Sequence, residues 1–137
     1  MRRTAATFLL AVLALVTQLA ACSPAAERGH RFTVRGQVTQ LPSPQDPGAL
    51  YLQHEAIDGW VDRNGQVVGM DPMNMPFPLG DGVPLEGIAA GDVVEATVRV
   101  DWEAEARQVE IVELRELPAG TKLELRAADP GRAGTSH

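Results

Sequence analysis

Val93-Val94-Glu95-Ala96-Thr97-Val98-Arg99-Val100-Asp101-Trp102 is the stretch that decides the fold. Val94, Ala96, Val98, Val100 and Trp102 are apolar, and Glu95, Thr97, Arg99 and Asp101 stand between them. A two-residue period places one face on a core and the other in water, because successive side chains leave a strand on opposite sides. The valines suit a pleated, half-buried surface.

The same pattern recurs outward from this strand. Phe32, Val34, Gly36 and Val38 alternate with Thr33, Arg35, Gln37 and Thr39. After a proline-rich loop at 41–48, Leu50, Leu52 and His54 share one face and Tyr51 and Gln53 the other. Met73, Met75 and Phe77 alternate too, but Pro72, Pro76 and Pro78 withhold three N–H donors, which predicts an edge or irregular strand. Asn64-Gly65 predicts a hairpin near residues 60–69, since the pair favours positive φ angles. Residues 85–91 allow at most one helical turn. Further strands are expected at 108–117 and 122–126. Five or six short strands and frequent turns predict an all-β domain, a small barrel or sandwich; the five-stranded OB-type barrel fits the strand count, with a hairpin insertion near 60–69.

The chain has 137 residues, enough for one ordinary domain. With 12 Lys+Arg against 18 Asp+Glu, the net charge of -6 argues against nucleic acid as a partner. Arg2 and Arg3 precede an apolar run from Ala5 to Ala21, as in an exported precursor. The run ends Leu19-Ala20-Ala21-Cys22, which resembles a bacterial lipobox, whose cysteine is lipidated and becomes the first mature residue. Residues 1–21 are thus expected to be a lipoprotein signal peptide and 22–30 a flexible tether. Residues 31–126 are expected to form the barrel and 127–137 a disordered tail. A lipid on Cys22 would hold the domain beside a membrane without spanning it. By analogy with lipoprotein sorting, Ser23 favours the outer membrane. Cys22 is the single cysteine, so once it is acylated no thiol remains for a disulfide, a thiolate ligand or a nucleophile.

Apart from the initiator, every methionine lies in one short window: Met70, Met73 and Met75. Gap-filling methionines would be scattered. Thioethers are soft, neutral donors that suit Cu(I) and Ag(I) and bind hard cations poorly. Met73 and Met75 share a face of an extended segment. Neutral imidazole is a frequent companion ligand, and of the three histidines only His54 lies in a predicted strand. The same methionines would also serve as core beside Phe77, or as an adaptable contact surface. Glu55, Asp58, Asp62 and Asp71 lie near the cluster and read either as a solvated rim or as an electrostatic lure for a cation.

The segments His54-Glu55-Ala56-Ile57-Asp58-Gly59 and Met70-Asp71-Pro72-Met73-Asn74-Met75-Pro76-Phe77 resemble the CusF-like periplasmic copper-binding proteins. The resemblance runs from about Phe32 to Leu117. It implies an OB-type barrel that holds Cu(I) or Ag(I) with one histidine and two methionines, here His54, Met73 and Met75. It also implies a tryptophan three residues before the first ligand methionine, capping the ion through a cation–π contact. Met70 stands at that position, as a candidate third sulfur ligand, and Trp60 is the nearest candidate cap. Some eight extra residues, about 60–68, separate the histidine from the methionines.

The sequence contains no Ser/His/Asp spacing, no acid/base carboxylate pair in an apolar setting and no phosphate-binding glycine loop, so no enzyme is expected. The expected function is an extracytoplasmic Cu(I)/Ag(I) metallochaperone or metal-binding module. It would be a monomer, and its partner a copper efflux or copper-delivery protein of the envelope. A lipid-anchored β domain that binds protein without metal is the alternative. An electron-transfer copper protein is disfavoured by the missing cysteine.

Overall fold

The structure, a computed structural model, describes residues 28–134. The expected signal peptide, Cys22 and residues 135–137 lie outside the described residues. Five strands form one sheet: β1 (His30–Gln40), β2 (Ala49–His54), β3 (Asn74–Pro78), β4 (Val93–Val100) and β5 (Val109–Glu116). The order across the sheet is β3-β2-β1-β4-β5, with every neighbouring pair antiparallel. The sheet then curls so that its ends meet. Leu79, just past β3, bridges Ile111 of β5 in parallel, and the Gly80 N–H donates to the Ile111 carbonyl at 2.7 Å. This is the closed five-stranded order of an OB-type barrel. Closure at one point is what the prolines allow. Pro76 and Pro78 lie within β3 and lack N–H groups, so β3 has no full ladder to offer a second neighbour.

The inward faces are those the alternation predicts. Val34, Val38, Leu50, Leu52, Phe77, Val94, Ala96, Val98, Val100 and Ile111 form the buried core. One extra residue adjusts β5. The β4–β5 register slips between Thr97 and Val98, leaving Val112 out of the ladder, so that Ile111 and Leu114 both reach the core.

The hairpin insertion is present, with Val61 bridging Val67. Its turn differs from the expected tight one. Only Gly65 takes a positive φ, at 77°, and the Asp62 carboxylate accepts the N–H groups of Asn64 and Gln66 at 2.8 and 2.9 Å. A side-chain-capped loop replaces the two-residue turn because Asp62 satisfies donors that would otherwise need a ladder.

Two expectations are corrected at the C-terminal end. Residues 122–126 form no strand: the Glu124 N–H donates to the Glu55 carboxylate rather than to a neighbouring backbone. Residues 127–134, expected as part of a disordered tail, end in a 3-10 turn at Pro130–Gly134, and two acids described below, Asp58 and Asp71, accept the N–H groups of Asp129 and Ala128. Composition missed this because the partners lie some 70 positions away (Asp129 to Asp58 is a separation of 71).

Candidate metal centre

The site is built at the end of β2. His54 is the last residue of that strand and faces inward with Leu50 and Leu52. Register sets what lies beside it. Leu52 pairs with Met75, and the His54 N–H donates to the Met73 carbonyl at 3.1 Å, which continues the ladder by one step. Cross-strand neighbours share a face. By this register His54, Met75 and, one step before β3, Met73 take one face of the β2–β3 pair. Met75 packs against the core residues, while Met73 is 43% exposed. On the other side of β2, Gly36 of β1 stands opposite His54. A Cβ on Gly36 would lie 3.2 Å from the His54 Cα and 3.3 Å from the Leu52 Cβ. The inward glycine makes room for the histidine.

The imidazole is oriented by two contacts. Its edge meets the Phe77 ring at a centroid distance of 5.5 Å and an interplanar angle of 75°. Its Nδ1 lies 2.6 Å from the Glu55 carbonyl oxygen. A carbonyl only accepts, so the shared proton sits on Nδ1. In the neutral ring Nε2 then carries the free lone pair. Burial pushes the His54 pKa below its ordinary value, the Glu55 carbonyl opposing this in part. Nε2 is fully buried and has no hydrogen-bond partner among the described residues. An unsatisfied buried acceptor costs free energy, so its persistence calls for a ligand. The donor set suits a soft, singly charged ion: one neutral nitrogen beside neutral thioethers. Among the described residues no group of three His, Cys, Asp or Glu converges to offer a harder site.

The insertion leaves this register intact. Ile57 and Met70 exchange N–H···O bonds of 2.9 and 3.0 Å, which closes the neck of the inserted hairpin. Met70 is thereby held beside buried Ile57 and packs against the core. Trp60 is placed elsewhere. Its buried ring lies 5.5 Å from Phe32 and 6.1 Å, edge-on, from Trp102, whose indole N–H donates to the Val61 carbonyl at 2.9 Å. The structure spends this ring on anchoring the hairpin to β1 and to the end of β4.

The four nearby acids all have protein partners. Glu55 accepts from Arg35 Nη2 and Nε, at 2.7 and 3.0 Å, and from the Glu124 N–H at 2.6 Å. Asp58 takes Arg126 in a fork, at 2.6 and 2.8 Å, and the Asp129 N–H at 2.8 Å. The Arg126 hydrogen bonds, with the Asp129 N–H, pull the Asp58 pKa down to about 2. Asp71 takes the Ala128 N–H at 2.8 Å. Asp62 caps its own turn, and the Gln66 N–H chiefly lowers its pKa. Sequence reading missed the structural use of these acids, and it missed Glu55 and Gly36 as supports of His54. A glycine on the inward face of a strand was the one signal available, since it marks close approach.

No protein-family model matches the chain, and no curated protein matches it by sequence. Among solved structures, the chain is similar to the apo form of CusF from Escherichia coli, at 12% identity and a TM-score of 0.48, covering 70% of this chain and 98% of that one. It is also similar to the C-terminal domain of SilB from Cupriavidus metallidurans, at 22% identity and a TM-score of 0.46, covering 69% of this chain and 99% of that one.

Proposed function

We propose that this chain carries one Cu(I) ion, or its soft analogue Ag(I), as cargo outside the cytoplasm, held by His54, Met73 and Met75 with Met70 as a further sulfur donor. One observation carries the reading: the His54 Nε2 lone pair is buried and unpartnered on the face that register gives to Met73 and Met75. Neutral donors leave the ion's single charge uncompensated, which favours holding and passing it over redox turnover. Exposed Met73 suits release, because an incoming soft ligand reaches it first. In this reading the domain is a monomer tethered through Cys22. It hands the ion to an efflux or copper-delivery protein of the envelope and performs no catalysis of its own.

Exposed Val67, Val68, Met73 and Leu125 favour a second reading, a protein-binding β domain without metal. Titration of residues 23–137 with Cu(I) under reducing conditions separates the two. The metal reading expects about one ion per chain. It expects Met73→Ala with Met75→Ala to abolish binding. Stoichiometric binding by that double variant sinks the assignment.

A further inference from the structure

The segment after β5 crosses the loops that carry the site and is latched to them at successive points. The Glu124 N–H meets Glu55, Arg126 and the Asp129 N–H meet Asp58, and the Ala128 N–H meets Asp71. Each acceptor stands in the site's own connections: Glu55 follows His54, Asp58 follows Ile57 in the neck, and Asp71 follows Met70. The fit is close. Gly69, at φ 70°, has no side chain where a Cβ would lie 2.9 Å from the Ala128 Cβ and 3.3 Å from the Pro130 ring. Gly59 likewise faces Ala133, at 3.6 Å.

We infer that residues 121–134 are a strap that fixes the ligand geometry, with Glu55 as the positioning residue that couples strap to histidine. This deepens the proposed function and rests on it for the metal, though not for the ring. Glu55 does two things at once. Its carbonyl accepts the His54 Nδ1–H and so aims Nε2. Its carboxylate is clamped between Arg35 of β1 and the Glu124 N–H of the strap. The strap therefore restrains the one peptide group that sets the imidazole's tautomer and tilt. It restrains Met70 from the other side, through Gly69 and Asp71. Releasing it gives the ring and the Met70 loop freedom that ion binding must then remove, so the bound state weakens by the fraction of time the site is out of order.

The test uses the full chain and Arg126→Ala, which opens the fork from the strap side and leaves every residue of the site in place. Backbone hydrogen exchange reads the strap, ¹⁵N shifts of the His54 ring read the tautomer in the metal-free protein, and transfer of Cu(I) to a chelator reads release. The expected result is loss of protection at 124–129, a shift of the ring toward mixed tautomers, and release faster by up to about fivefold, as for loss of a partly exposed ion pair. Arg126→Lys, which keeps the charge but not the fork, should fall between. If Arg126→Ala leaves the strap protected, Glu124→Pro is added to remove the second latch, and the double variant is read in the same way. A freed strap with unchanged ring shifts and release overturns the inference. So does loss of protection at Val94 and Val98, which would make the strap part of the barrel's own stability. A wild-type chain that takes up no Cu(I) defeats the metal reading alone, because the ring shifts still report whether the strap positions His54.

Discussion

His54 Nδ1 lies 2.6 Å from the carbonyl oxygen of Glu55, its own neighbour in sequence, and this contact decides which ring nitrogen is left for a ligand. The carbonyl takes the Nδ1 proton, so Nε2 is left as a bare lone pair in a buried setting.

That arrangement makes stability depend on pH. Burial holds the folded-state pKa of His54 below the free value of 6.5, so the unfolded chain binds the proton first. Stability is full above 6.5 and falls as the pH drops below it, until the lowered folded-state pKa is reached. Urea midpoints at several pH values between 7.5 and 5, about the range of histidine titration, should show this slope in wild type and a flatter one in His54→Leu. Equal slopes would mean that the ring takes up its proton in the folded state as easily as in the unfolded one.

Gly36→Ala tests the space opposite the histidine. The new methyl would sit 3.2 Å from both the Gln53 carbonyl oxygen and the His54 Cα. Overpacking of this kind costs about 1–3 kcal/mol. Thermal melts should show the loss, and Cu(I) affinity should fall with it as β2 is pushed outward. Wild-type affinity in a destabilised Gly36→Ala would show that His54 tolerates the shift.

Trp60→Phe tests whether that ring is core or cap. Packed between Phe32 and Trp102, it should behave as core, with a cost of about 1–3 kcal/mol for the lost volume. Cu(I) affinity should stay at the wild-type value. A weakened ion in a fully folded variant would restore Trp60 as a cap.

Asp58→Asn tests the latch by its acid dependence. The folded-state pKa is about 2 against an ordinary value of 3.8, so this carboxylate stabilises the fold above 3.8 and loses its contribution as the pH falls towards 2. Solvent screens the pair, which limits the effect to about 1 kcal/mol near neutral pH. Denaturation at about pH 6, above that window, and at about pH 2.5, near its lower end, should separate variant from wild type at the first and narrow the gap at the second. A constant difference would assign the loss to packing rather than charge.

Much of this was legible in the chain. The alternation of Val94, Ala96, Val98 and Val100, and of Leu50, Leu52 and His54, gave both strands and inward faces, because the side-chain period of a strand is a local property. The prolines of 72–78 told that β3 would not ladder on both sides, since a missing N–H is missing in any fold. The spacing of Met73 and Met75 put two thioethers on one face for the same local reason.

What the chain did not reveal depends on partners brought together from far away. The slip that leaves Val112 unpaired arises only when β5 must fit a closed barrel. Trp60 reads as a free aromatic near the methionines until Phe32 and Trp102 enclose it. Glu55, Asp58 and Asp71 read as a charged rim, and the donors that make them latches lie 57 to 71 positions downstream. Sequence alone determined which side chains share a face, because that follows from backbone geometry. Tertiary structure alone decided that Nε2 of His54 would be buried without a partner, because desolvation comes from the neighbouring strands and the Phe77 ring that pack against it.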